Sequence, residues 1–430
     1  MDSNDSNRAA LVCQTLRQQV TGTVTTPQEE GYEAEQERPW SRTCWLSAAA
    51  YIRPQSTAEV AAVLATLKKT NTKFAVRSTG HHPTANFSSV GESGVVIDLR
   101  DINFLALDEG GDGSLILRAG GGSTWGNVYT FLEERGRSIV GARNFGVGLG
   151  GFTLGGGMSA FPNLHGLPAD GVKNFEVVLG DSRVVNANLD TNPDLWKAIK
   201  GGGTNFGIVT RLDFETHPLI KTKYAVHLYD PADYVNVLKA TVRVQDSMET
   251  DPKIGLFVSF NPTFVAVGLL YADSLAESMT ATKVSLDLYI KSHELYLAAI
   301  RTSAAGLFYT IQPVTCSAVR EGEDRGGNIM GVEKVAQDWW VGAGAWQDAD
   351  LDEQAIRDVD NLRIGVEQLA ISSGDHLGFF FMNDASPTQT VLGSYGASSL
   401  QQMMDVSDKY DPNKVFQVLQ NGGNLLRNIS

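Results

Sequence analysis

The sequence predicts an α+β fold in which a small antiparallel-sheet unit is inserted into a larger unit of strands and helices joined by glycine loops. Three observations predict it. Up to about residue 218 short apolar runs alternate with amphipathic stretches, the texture of an α/β layer. From about 220 to 384 glycine thins out and the periods lengthen, as in an antiparallel sheet with helices on one face. The 44 glycines among 430 residues are clustered, most densely in 141–170.

The elements follow in order. A helical pattern spans Ala9–Val20. Ser56 and Glu59 make a capping box, and Val60, Val63, Leu64 and Leu67 form the stripe of the helix it starts. Strand Phe74–Val76 runs into the loop Arg77-Ser-Thr-Gly-His-His82. Strands Val95–Leu99 and Leu115–Ala119 lead to Gly120-Gly-Gly122 and a helix at Trp125–Glu134. Phe175–Leu179 and Arg183–Ala187 read as a hairpin, Pro193–Ile199 as a helix and Ile208–Phe214 as a strand, with a boundary at Thr216-His-Pro218. Strand Tyr224–Leu228, helix 231–247, strands 254–260 and 263–270, helices 275–291 and 352–370 and strand Leu377–Phe381 come next. A helix after Leu400 precedes DKYDPNKVF.

Composition sets limits. A 42% apolar chain buries a core without metal or disulfide staples. The net charge of −14 repels phosphate backbones, so nucleic acid is not an expected partner. No apolar run is long enough for a membrane span. MDSNDSNRAALV has neither the basic nor the apolar region of a signal peptide. Cys13, Cys44 and Cys316 form no CxxC pair, so no metal site is expected.

Gly146, Gly148 and Gly151 spell G-x-G-x-x-G, with Asp170 further on at a plausible distance for a ribose contact. A dinucleotide fold needs one unbroken helix after the glycines. Gly155-Gly-Gly157, Pro162 and Pro168 break any such helix. A bare-backbone wall for a large flat cofactor and its pyrophosphate fits better, because glycine permits close approach and exposes N–H groups. The loop 77–82 offers similar N–H groups and a histidine that is a base, a ligand or a covalent anchor.

Six segments then occur in one order: RSTGHH, Trp125-Gly126, VGLGGFTLGGGMS (Val147–Ser159), DGVKNFEVVLGD (Asp170–Asp181), GGGTNFGIVT (Gly201–Thr210) and KYDPNKVFQ (Lys409–Gln417). Together they resemble the FAD-linked oxidases of the berberine bridge enzyme-like type, in the vanillyl-alcohol oxidase superfamily. Fungal secondary-metabolite members look most similar. The resemblance implies an N-terminal segment 1–40, a PCMH-type FAD-binding domain at 41–218 completed by 385–430, and a substrate domain at 219–384. It implies FAD bonded covalently through His81, with His82 beside the motif position. Many relatives add a cysteinyl link three residues before V-G-x-G-G. That position here is Asn144, so a single link is expected. Cofactor contacts are expected from Arg77, Ser78, Thr79, Gly80, His81, His82, Gly148, Gly150, Gly151, Gly155, Gly156, Ser159, Gly207, Ile208 and Tyr395. Some secreted relatives have a disulfide where Cys13 and Cys44 stand, and a secreted or vesicular location is implied.

The implied reaction is hydride transfer from a small, largely apolar alcohol, amine or phenol to flavin N5, with oxygen as acceptor and ring closure as a possible sequel. A redox-neutral isomerase or cyclase that retains FAD structurally is the alternative. Many sugar-oxidising relatives have an aromatic-glycine-x-asparagine stretch near the C-terminus. Ser394-Tyr395-Gly396-Ala-Ser-Ser399 has serine where asparagine is expected, which argues against a sugar substrate. Four residues are candidates for the proton acceptor or a substrate contact. Tyr395 is a base or a packed sheet tyrosine. Tyr309 points toward the flavin or into the core. Asp384 faces the pocket or is a solvated turn residue. His165 touches substrate or lies on the loop surface.

Overall fold

A computed structural model describes residues 12–429 apart from 112, 221, 273–285 and 304. Three sheets of four or five strands build the described residues, with a two-stranded pairing of Arg137–Ser138 and His217–Pro218 beside them. In the first, Thr23–Thr25, Ala50–Arg53, Gly94–Asp98 and Lys73–Arg77 lie in that order, the last three parallel. The helix Thr57–Thr70 covers it. Ser56 Oγ accepts the Glu59 N–H at 3.3 Å, Glu59 reaches back to the Gln55 N–H at 2.9 Å, and Asn71 ends the helix at φ 52°. Val60, Val63, Leu64 and Leu67 are fully buried against Ile52, Phe74, Val95 and Ile97.

The second sheet is antiparallel throughout, in the order Leu105–Glu109, Leu115–Gly120, Ile208–Glu215, Val172–Val178, Val184–Asn188. Its core contains Trp125, Phe175, Trp196 and Phe214. The glycine-dense stretch crosses this core as two short helices, Leu149–Leu154 and Pro162–His165. Gly156 at φ +105° and Gly157 at φ +78° separate them. A continuous dinucleotide-type helix is therefore absent at this point, as the prolines and glycines require.

The third sheet orders Thr222–Tyr229, Val265–Ala272, Ile254–Phe260, Gly306–Val314 and Gln337–Ala345, all antiparallel. Helices Tyr234–Met248, Leu286–Ala299 and Asp352–Ser373 pack on one face. The first part of the expected helix 275–291, and the start of the one at Ala9–Val20, lie outside the described residues. Strand period decides what each face receives. Leu307, Tyr309 and Ile311 enter the helix-side core, each 1% exposed, so Phe308, Thr310 and Gln312 take the opposite face.

One expectation fails and one open pairing is decided. Leu377–Phe381 is not a strand. Its aromatic rings pack on Trp339 and Tyr395, and the Phe380 N–H goes to Ser394 Oγ at 3.0 Å instead of to a ladder. Cys44 is a free thiol held against the His82 carbonyl at 3.4 Å, so no bridge joins it to Cys13.

After the third sheet the chain returns. Helix Ala397–Tyr410 docks on Pro193–Gly202, with Lys409 Nζ 2.6 Å from Asp194. Asp411 then accepts the N–H groups of Val415 and Phe416. Phe416 and Leu419 enter the first core, where the Phe74 N–H donates to Leu419 O and Phe74 O accepts from Asn421.

Candidate active site

The loop after strand Lys73–Arg77 is fixed from below. The Arg77 guanidinium is 1% exposed, 2.7 Å from the fully buried Asp98 and 3.3 Å from Glu35, and stacks on Tyr51. Ser78 Oγ donates to Gly121 O at 2.8 Å. A Cβ on Gly148 would stand 2.8 Å from both Ser78 Oγ and Thr79 Oγ1, so this loop and the glycine stretch touch only because residue 148 has no side chain.

Between them runs a groove of about 460 Å³. Ser78, Thr79, Gly80, His81 and His82 form one wall, and Gly148, Gly151 and Phe152 the other. Among the described residues the amides of 79–82 donate to no protein acceptor. A Cβ at Gly151 would meet no atom within 4 Å and would project into the groove. Bare backbone with available N–H groups suits a flat cofactor bearing a pyrophosphate, so the residues present fit FAD.

The two histidines differ. His82 is tied down: its Nδ1 accepts the Thr84 N–H, its ring stacks on Phe87 at 4.9 Å, and burial with His81 nearby pushes its pKa down to about 4. The His81 imidazole has no hydrogen-bond partner among the described residues, stacks on Trp40 at 5.6 Å and opens on the groove. Burial lowers its pKa, which keeps the ring neutral and nucleophilic. Asn144 also lines the groove, its Oδ1 occupied by the Gly146 N–H at 2.8 Å.

Arg143 and Asp384, which line the groove, belong to a polar cluster. Gln312, from the open face of the third sheet, donates Nε2 to Asp384 Oδ2 at 2.8 Å and accepts from the Arg143 guanidinium. Surrounding protein raises the Asp384 pKa, while the Gln312 hydrogen bond and the Arg143 charge pull it back. Asn383, next to it, accepts the Gly157 N–H and donates to Phe152 O, fastening this segment to the glycine wall.

Of the four catalytic candidates, only Asp384 lines the groove, and it does so as an exposed turn residue whose N–H donates to Phe381 O. Tyr309 lies in the helix-side core, its OH on His293 Nδ1 at 2.9 Å and its ring between Phe260 and Trp340. Tyr395 is 3% exposed, its OH donated to Gly201 O and its pKa raised by burial. His165 stacks on His217 at 3.8 Å, and burial beside His217 and Arg325 pushes its pKa down to about 3.

Several expected cofactor contacts stand behind the wall. Arg77 anchors the loop from beneath. Gly150 backs onto Gly121 O, Gly155 onto Asn383, Gly156 onto Met330 and Gly207 onto Val177. Ile208 is 2% exposed and Ser159 5%. Sequence reasoning missed Arg143 and Gln312. Alternation along the strand Gly306–Val314 was the available signal for Gln312, while Arg143 had none.

This fold and groove define a flavin-binding oxidoreductase. A family described as an FAD binding domain matches residues 48–188. An FAD-dependent monooxygenase of Arthrobotrys oligospora is 31% identical over 96% of this chain and 89% of its own length. The bifunctional solanapyrone synthase of Alternaria solani is 32% identical over 82% and 76%. The structure of wild-type BBE-like 1 of Physcomitrella patens superposes with a TM-score of 0.76, covering 95% of this chain and 98% of that one at 16% identity. The chain belongs to the family of FAD-dependent oxidoreductases that contains these fungal relatives, and its fold is that of the BBE-like structure. No helix among the described residues is long and apolar enough to cross a membrane.

Proposed function

We propose that the chain is an oxidase that removes hydride from a carbon bearing a hydroxyl or amino group in a small, largely apolar secondary metabolite. Residues 41–218 and 385–430 form the cofactor part in this reading, and 219–384 the substrate part. Bound FAD supplies the hydride acceptor and passes the electrons to oxygen. The amides of 79–82 and the bare wall at Gly148 and Gly151 hold the cofactor, and His81 anchors it covalently. Asn144 leaves that attachment single, since an amide is no nucleophile.

The observation that carries the reading is that Asp384 lines the same groove that His81 opens on. Asp384 takes the proton from the substrate's hydroxyl or ammonium group as hydride leaves. Its raised pKa makes it a stronger base than an ordinary carboxylate, and Gln312 orients it. Anaerobic addition of substrate tests the reaction: bleaching of the flavin band supports hydride transfer, and turnover without bleaching rejects it in favour of redox-neutral chemistry.

The anchor is tested separately. Acid precipitation of the native protein is expected to give a yellow pellet, His81→Ala a colourless one, and His82→Ala a yellow one. A colourless native pellet rejects covalent attachment and leaves FAD binding intact.

Gln312→Leu tests the orientation. It removes the hydrogen bond that lowers the Asp384 pKa, so the acidic limb of the kcat/KM profile is expected to move to higher pH. The base works ionised, so activity is lost at acid pH and recovers as pH rises. A uniform loss at every pH would show that Gln312 does not set the ionisation of the base.

A further inference from the structure

A second cavity, of about 500 Å³, lies between the strand Gln337–Ala345, the helix Asp352–Ser373 and residues 374–389. One buried wall is aromatic: Trp339 and Phe381, each 7% exposed, have ring centroids 4.3 Å apart, and Phe379 is 5.4 Å from Trp339. Its more open walls are polar. Arg363 pairs with Glu367 at 2.6 Å, and His376 lies 3.6 Å from the same carboxylate. Phe381 and Asp384 belong to the walls of both this cavity and the groove, so the two spaces meet at the carboxylate.

We infer that this cavity holds the body of the substrate. The substrate is then a two-part molecule: an oxidisable alcohol or amine head at Asp384 and an extended apolar tail along Trp339 and Phe379. The inference rests on the reading of Asp384 given above. Three features support it. The volume is in the range of ligand cavities, roughly 300–1,000 Å³. An apolar wall of packed aromatic rings gains from burying hydrocarbon and offers a short head group nothing. Asp384, common to both walls, lies where the reacting head would sit, and Arg363 pairs with Asp360 and Glu367, while Ser292, Gln337 and Asp338 add polar groups elsewhere along the walls.

The test is a binding series on the flavin-loaded protein. ω-Phenylalkan-1-ols, from phenylmethanol to the six-methylene homologue, are titrated against tryptophan fluorescence, with Trp339→Phe to assign the signal. Kd is expected to fall about two- to fourfold per added methylene. Ala370 lines the cavity from the helix, and Ala370→Phe is expected to flatten the series while leaving phenylmethanol affinity unchanged. Ile371→Phe, at a neighbouring position 49% exposed outside the cavity, is expected to keep the slope. A flat series in the native protein overturns the inference, whether or not Ala370→Phe folds. So does a slope that survives a folded, yellow Ala370→Phe. Oxidation of the series is scored in parallel. Length-dependent binding without oxidation of any member supports the cavity assignment and counts against Asp384 as base. Oxidation with length-independent binding counts against the cavity alone.

Discussion

Asp384→Asn is expected to lower kcat/KM by about 10²–10⁴, the range a positioned proton acceptor contributes. Asparagine keeps the size of the side chain and an oxygen for the Gln312 amide, so the cluster holds its shape while the base is lost. Stopped-flow reduction without oxygen isolates the affected step. The rate of flavin bleaching should fall by that factor, with flavin content and thermal midpoint unchanged. The acidic limb of the pH profile should vanish with it, because the group that must ionise is gone. Native reduction kinetics in this variant would remove Asp384 from the chemistry and leave the aromatic cavity as its remaining role.

Arg77→Met is expected to cost roughly 3–5 kcal/mol of stability, the penalty for stranding one partner of a buried ion pair. Asp98 is 0% exposed and would keep only Arg100, whose side chain is 14% exposed, as a cationic partner. That remaining partner places the loss toward the lower end of the range. Urea denaturation followed by fluorescence measures it. Protein that does fold should still bind flavin, since Arg77 acts beneath the loop. A variant of native stability that loses flavin would restore Arg77 as a direct cofactor contact.

How far the sequence could be read depended on how local the signal was. The capping box at Ser56, the hairpin around Gly180 and the breaks at Gly155–Gly157 are short-range features, and the structure has all three. The loop 77–82 and the glycine stretch were legible as candidate cofactor walls, and their contact at Gly148 is what the structure adds. Failures occurred where tertiary packing chose among residues of similar character. Tyr309 and Gln312 lie three apart on one strand, hence on opposite faces, and the sequence does not say which face meets the groove. The run Phe379-Phe-Phe381 has strand propensity, yet its rings are used in packing and no neighbouring strand pairs with it. Arg143 sits in a glycine-rich loop and meets Gln312 only through the packing of two sheets.

The return of the chain to Phe74 bears on biogenesis. The strand Lys73–Arg77, which carries the flavin loop at its end, is at the edge of its sheet, and the backbone partners of Phe74 are residues 419 and 421. During synthesis that edge emerges from the ribosome more than 300 residues ahead of its partners. The nascent protein therefore carries an unsatisfied β-edge for most of translation. Deletions at the C-terminus are therefore expected to yield aggregated, colourless protein even though they spare every residue of the groove.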